Sequence, residues 1–413
     1  MRIINLTQTQ YRNYSNIHAN KNFGQTIEYT RLREVQNSNK LFLGLVDDSE
    51  ILHAAVCLTI NTISSLVKEA IAKDGFLIDY HDTQLLETFI IKLKEYLKRE
   101  KITYLKTDPK FRYKVYNKKN ILIESNDEIL RTFIKHNFQN NSYQSEFEKY
   151  DIIIENYQSI FEIYKNFNRN TKRNIKDSLN TGITLHKGTE QDINTFYEMI
   201  KKKKQNSLSY YSDLFNNFNT RDNKAEIFFT KINVQKFLVN IQRLYNQEYS
   251  RNEQIHKTIN RKIGKITNKM YNKKINSDKL LNKYHKSLQL ANELSLTGKK
   301  EIIIGTSAII RNKDEIYFLI DGYAEKYRHI HSSHLLKWAI IEKYYKRGYN
   351  KFNLGEIHQS YYNKENKYHG QYLYKIGFGG NIVEYPPEML LIINKPIYEA
   401  SIKLNKFLKK NKQ

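Results

Sequence analysis

Residues 327–355 read YRHIHSSHLLKWAIIEKYYKRGYNKFNLG. A short loop runs into an amphipathic helix, the helix stops at Gly348, and the strand NKFNLG follows. Ser332 or Ser333 is the expected N-cap. A helix N-terminus of this kind can hold a pyrophosphate when glycines let the ligand approach the exposed backbone N–H groups. The loop here, RHIHSSH, contains no glycine, and its isoleucine, histidine and serine side chains obstruct that approach.

The same strand–helix–strand logic extends outward. LFLGLVDDSEILHAAVCLTI (41–60) predicts two strands joined by an Asp-Asp-Ser turn. In residues 82–101, Leu86, Phe89, Ile90, Leu93 and Leu97 have helical spacing behind an Asp82 N-cap. ITYLKTDP (102–109) then reads as a strand stopped by Pro109. A second unit begins near residue 150, with a basic helix over 168–181 closed by Gly182 and followed by a strand. Residues 299–323 predict a hairpin turning at Asn312, Lys313 and Asp314. Helices alternating with strands imply an α/β fold.

Between Lys236 and Gly298 this unit is interrupted. Ile259, Ile263, Ile266 and Met270 form one short apolar seam, and Leu281, Tyr284, Leu288 and Ala291 a second. They predict an antiparallel helical coiled-coil hairpin over 236–298, hinged at NKKINSD (272–278). This stretch carries 13 Lys/Arg against 4 Asp/Glu, a basic arm suited to an RNA backbone. The expected domains are therefore 1–150, then 151–235 with 299–413, and the inserted hairpin.

The formal net charge is +25, from 68 basic and 43 acidic residues, which favours a polyanionic partner. An AT-rich genome would impose the same Lys, Asn, Ile and Tyr bias, so the distribution of charge carries more weight than its sum. The lone Cys57 excludes an intramolecular disulfide. With no leader-like segment and no apolar run near ~20 residues, a cytoplasmic protein is expected. His329, His331 and His334 match no standard zinc spacing and have no cysteine partner, so no metal is expected.

In GNAT-type N-acyltransferases the loop before the central helix is R/Q-x-x-G-x-G/A. Arg328 stands where that loop would begin, but its glycines are missing, which disfavours coenzyme A. Five segments, taken in order, resemble the FemABX family of peptidyltransferases that build peptidoglycan cross-bridges. They are FGQTIEYTRLREV (23–35), YLKTDP (104–109), FNRNTKRNIKDSLNTGITLHKGTEQDINTFYEMI (167–200), HLLKWAIIEKYYKRGYNKFNLGEI (334–357) and LYKIGFGGNIVEYPPEM (373–389). The resemblance implies two tandem GNAT-like subdomains with a coiled-coil arm, no coenzyme A, and aminoacyl-tRNA as donor. The implied acceptor is an amine on the stem peptide of a lipid-linked or UDP-linked muropeptide, reached at the inner membrane face.

Carried over by position, Lys375 matches the family lysine that stabilises the transition state or the donor's 3′ end, with Tyr374 and Phe378 as flanking aromatics. Asp108 matches the Asp of the Asp-Pro strand end, as an amine-orienting or basic group; capping the turn before Pro109 is the other role open to it. Arg33, or Arg31, falls near the basic residue for acceptor phosphates. The arginine expected after the FYE helix is absent from KKKKQNSLSYYSDLF (201–215), leaving Lys203 or Lys204 in its place. A GNAT-like enzyme with another acyl donor and a non-catalytic RNA-binding protein on a transferase scaffold are the competing readings.

Overall fold

The computed structural model describes residues 1–32, 38–141, 150–202, 206–261 and 265–410. The chain opens with β1 (Arg2–Asn5), α1 (Gln8–Ile17), α2 (Ile27–Leu32), β2 (Ser38–Val46), β3 (Leu52–Thr62) and β4 (Lys68–Ala72). There follow α3 (Thr83–Arg99), β5 (Tyr104–Thr107), β6 (Lys114–Tyr116), β7 (Leu122–Ser125), α4 (Asp127–Lys135) and β8 (Phe138–Asn140). The second half holds β9 (Tyr150–Ile154), α5 (Ile160–Asn166), α6 (Arg169–Asn180), β10 (Ile183–Lys187), α7 (Ile193–Ile200), α8 (Leu208–Asn217) and β11 (Asn223–Asn233). Two long helices, α9 (Val234–Asn260) and α10 (Asn268–Leu296), precede β12 (Glu301–Asn312), β13 (Glu315–Tyr323) and α11 (Ser332–Tyr345). The chain then forms β14 (Lys351–Ile357), α12 (His369–Ile376), β15 (Asn381–Glu384), β16 (Met389–Ile392) and α13 (Lys395–Lys410).

Two sheets result, of order β1-β2-β3-β4-β5-β16-β8 and β10-β11-β12-β13-β14-β9-β15-β6-β7. In each, an antiparallel meander of four strands ends in a parallel pair, β4–β5 across α3 and β13–β14 across α11. This unit, a meander closed by a parallel strand–helix–strand crossover, occurs twice, as the GNAT-like reading requires. α3 buries its predicted stripe, Leu86, Phe89, Ile90, Leu93 and Leu97, under one sheet, and α11 buries Leu336, Ile340 and Ile341 under the other.

A boundary at residue 150 does not separate the sheets. β6 and β7 cross into the second sheet, and β16 returns to the first between β5 and β8. Three of the four prolines mark two of the four places where the chain changes sheets: Pro109 follows β5, and Pro386 with Pro387 separates β15 from β16. A residue without an N–H ends a ladder and lets the chain leave it.

The interruption is a helical hairpin, but its first helix ends at Asn260 and its second begins at Asn268, ahead of the expected hinge; residues 262–264 are outside the described residues. The expected hinge, 272–278, lies inside α10. Its last two side chains meet the partner helix: Ser277 donates to Glu248 (2.6 Å), and Asn252 donates to Ser277 (3.2 Å) and Asp278 (2.7 Å). The polar composition that reads as a break is an inter-helix seam. Thr267 caps α10 by accepting from the Met270 N–H. On α9 the buried positions include Phe237, Ile241 and Ile255 rather than the predicted seam; Ile266 lies exposed in the turn, and Ile263 is outside the described residues.

Candidate active site

β13 and β14 pair over only three positions, from Glu315–Lys351 to Tyr317–Asn353, and then diverge. The divergence exposes backbone carbonyls that a continued ladder would have used. Gly355, at φ +79, turns the chain there, and a Cβ would come 2.9 Å from the Phe318 carbonyl. Lys375, in the last turn of α12, enters the gap and donates to the Glu356 carbonyl (2.7 Å). Only 8% of the residue is exposed. Burial, assisted by Lys337, lowers its pKa to about 8, against the pull of Asp321, Asp151 and Glu356.

Contacts behind α12 fix its position. Gly377 packs against α6, where a Cβ would lie 2.4 Å from the Thr171 hydroxyl, and its carbonyl accepts from the Asn168 N–H (2.9 Å). Tyr374 donates to the Ser333 carbonyl (3.0 Å), and its ring meets His334 at 4.8 Å. His331 and His334 are pushed down to about 4, foremost by burial, so both are neutral at physiological pH.

This lysine stands at one side of a cleft of about 1860 Å³ lined by both halves of the chain. Lys337, 1% exposed, lies 3.0 Å from Asp321 and 3.8 Å from the Phe318 ring centre. Burial opposes the charged form of Asp321, but Lys337, the Ser307 hydroxyl (2.7 Å) and Lys375 more than offset it, and its pKa falls. Across the cleft, Lys110 sits 4.2 Å from the Tyr385 ring centre. Burial disfavours its charge too, yet Asp151, Asp74 and Glu356 raise its pKa. Asp151 accepts from Asn353 (2.8 Å) and Tyr385 (3.2 Å). One cleft thus contains a firmly charged lysine and one that titrates near neutrality, the divergence expected of groups with separate acid–base roles.

Asp108 ends β5 but is not in the cleft wall. One oxygen accepts from the Asp74 N–H (2.7 Å) and the other pairs with Lys73, and these two neighbours line the cleft. Burial, with Asp74 adding, pushes Asp108 up to about 6 despite Lys73. It therefore positions the turn at 72–75 from behind. Phe378 is fully buried against Phe167 (5.1 Å) and His334 (6.0 Å), a supporting wall rather than a contact surface. Arg31 is exposed on α2, outside the cleft, which instead receives Tyr29 and Leu32 from that helix. Arg33, Lys203 and Lys204 lie outside the described residues; Lys202 lines the cleft beside them. Ser332 is the first residue of α11, behind a left-handed His331 at φ +60, so neither serine is the N-cap.

Sequence reasoning missed Lys110, Lys337 and the Asp321 that Lys337 pairs with. Lys337 had a signal: it shares a helical face with Leu336, Ile340 and Ile341, where a lysine must find a buried partner. Lys110 had none beyond following Asp-Pro.

Residues 6–406 match the FemAB family model. The aminoacyltransferase FemB of Staphylococcus epidermidis (strain ATCC 12228) is 23% identical over 411 residues, covering 96% of each chain. The aminoacyltransferase FemA of S. epidermidis (strain RP62A) is 23% identical over 421 residues, covering 99% of this chain and all of its own. The crystal structure of FemX superposes with a TM-score of 0.73 at 15% identity, over 97% of this chain and 99% of that one. A match along nearly the whole chain, two relatives of one activity and a shared fold lead to one assignment: the chain belongs to the FemAB family and is an aminoacyltransferase.

Proposed function

We propose that the chain transfers an aminoacyl group from aminoacyl-tRNA to an amine on the stem peptide of a peptidoglycan precursor, lipid-linked or UDP-linked, in cross-bridge synthesis. The observation that carries this is Lys375, a nearly buried ammonium set in the gap between β13 and β14 and facing a cleft formed by both subdomains. Attack of a neutral amine on an ester passes through a tetrahedral oxyanion, and a preorganised cation in a water-poor site stabilises it. The cleft's volume suits two large substrates whose alignment supplies further acceleration.

The loop before α11 bears on the donor. Residues 325–330 form a 3-10 turn in which Tyr327, His331 and His334 donate to Ala324, Arg328 and His331. These backbone donors are committed within the loop, which supports a donor other than coenzyme A. The basic hairpin, with 13 Lys/Arg, supports RNA. Among the described residues no helix is long and apolar enough to cross a membrane, so a lipid-linked acceptor would be met by peripheral association at the inner face.

The test is transfer from a pool of charged tRNAs, one labelled amino acid at a time, to lipid-linked and UDP-linked muropeptides. Label appearing on the peptide and abolished by RNase is expected. Absence of RNase-sensitive transfer to both acceptors overturns the proposal.

A further inference from the structure

The basic helix α6 is not used by the reaction as derived above. Arg169, Arg173 and Lys176 are exposed along it at spacings of four and three, which places them on one face. None of them makes an ion pair among the described residues. The helix bridges two places of interest. Its N-cap, Asn168, bonds Gly377 beside Lys375, while Asp177 near its far end pairs with Lys283, midway along α10 (2.7 Å). Its middle reaches the cleft, where Asn174 lies 3.3 Å from His334. Twelve residues span about 18 Å, the reach of a few nucleotides.

Further cations join this stripe. Lys283 and Lys286 of α10 both depress the pKa of His329, after burial, and Lys283 with Arg173 does the same to His331, so a positive field covers this end of the cleft. Arg328 stands exposed at the mouth. The acids facing the cluster are Asp177, already paired with Lys283, and Glu325, paired with Arg328 (3.1 Å). At the inner end the stripe meets the rings of His334 and Tyr374, which line the cleft beside Lys375.

We propose that the exposed face of α6 and the adjoining middle of α10 form a track for the phosphodiester backbone of a single-stranded RNA end, leading from the hairpin to Lys375. The proposal rests on the RNA donor of the proposed reaction and adds the path that donor takes. The tip of the hairpin is then secondary for the terminal nucleotides, and Arg169, Arg173, Lys176 and Lys286 supply most of the local electrostatic attraction.

The experiment measures binding of tRNA to the full chain across a salt series for the wild type, Arg173→Gln/Lys176→Gln, Lys286→Gln, and a control at the far end of the hairpin, Lys269→Gln/Lys273→Gln. All the substituted side chains are exposed, and the single change on α10 is independent of any effect on α6. The double α6 variant should lose about 1.4 from the slope of log K against log salt, at roughly 0.7 per phosphate contact in a single strand. Its KM for charged tRNA should rise while the KM for the muropeptide stays unchanged. Unchanged slopes in both track variants, a loss confined to the far-end control, or loss of anionic-vesicle binding in place of RNA binding would each overturn the track. Failure of the wild type to bind tRNA at all would instead overturn the donor assignment and the track with it.

Discussion

Replacing Lys375 by methionine retains most of the side-chain volume and removes the ammonium. If that ammonium stabilises the oxyanion, kcat should fall by about 10²–10³, or roughly 3–4 kcal/mol of transition-state stabilisation. The structure adds a pH signature. With a pKa of about 8, the wild type holds about 90% of its Lys375 charged at pH 7 and about 10% at pH 9. Deprotonation of the acceptor amine raises the rate with pH in both proteins, so the informative quantity is the ratio of wild-type to variant kcat. That ratio should be largest below pH 7.5 and fall about tenfold per unit above 8. The assay is single-turnover transfer of labelled amino acid from tRNA to muropeptide between pH 6.5 and 9.5, with tRNA binding measured alongside. A ratio near one, or a large ratio that stays flat across the series, would refute the argument that the cation does the stabilising.

The same residue predicts a stability effect of known sign. Its folded pKa lies below the unfolded value of 10.5, so the unfolded chain binds the extra proton between pH 8 and 10.5, and stability relative to Lys375→Met should rise with pH across that window by up to about 3 kcal/mol in urea unfolding. Asp108→Asn should alter the KM for muropeptide more than kcat, because the carboxylate acts through Lys73 and Asp74; a loss of kcat as large as that of Lys375→Met would place it at the reacting atoms instead. Gly355→Ala forces a side chain into the left-handed region and against Phe318, and should lower stability by about 1–3 kcal/mol while disturbing the Lys375 contact, as thermal unfolding and transfer rate would show. Ser277→Ala removes the donor to the buried Glu248 and should cost about 1–3 kcal/mol by thermal unfolding; an unchanged midpoint would mean that water replaces the hydroxyl.

Local periodicity made α3, α6, the β12–β13 hairpin and the α11–β14 unit legible, because each buries one face against a sheet and its apolar spacing records that. Lys375 stood out in its motif, and the structure sets it at the cleft. Three features were not. The exchange of β6, β7 and β16 depends on pairings between distant segments, which leave no mark within a window of the sequence. The hairpin turn was misplaced because Ser277 and Asp278 are polar for the sake of Glu248 and Asn252 on the other helix, a reason invisible without that helix. Asp108 was read from its motif as an amine-orienting or basic group or as a cap of the turn before Pro109, and its oxygens turn to Lys73 and the Asp74 N–H, a choice its motif alone did not make.

The return of β16 to the first sheet has a consequence for the order in which the molecule can be built. β5 and β8 flank a gap that only residues 389–392 fill, so during synthesis both carry unpaired edges until nearly all of the second subdomain has left the ribosome. The first subdomain therefore cannot finish as an autonomous unit, and a nascent chain halted before β16 presents two sticky edges to its neighbours. Production of the two halves from separate genes should give aggregates for the first half unless the segment around 389–392 is supplied with it, and a short peptide of that sequence should rescue its solubility by adding as the missing strand.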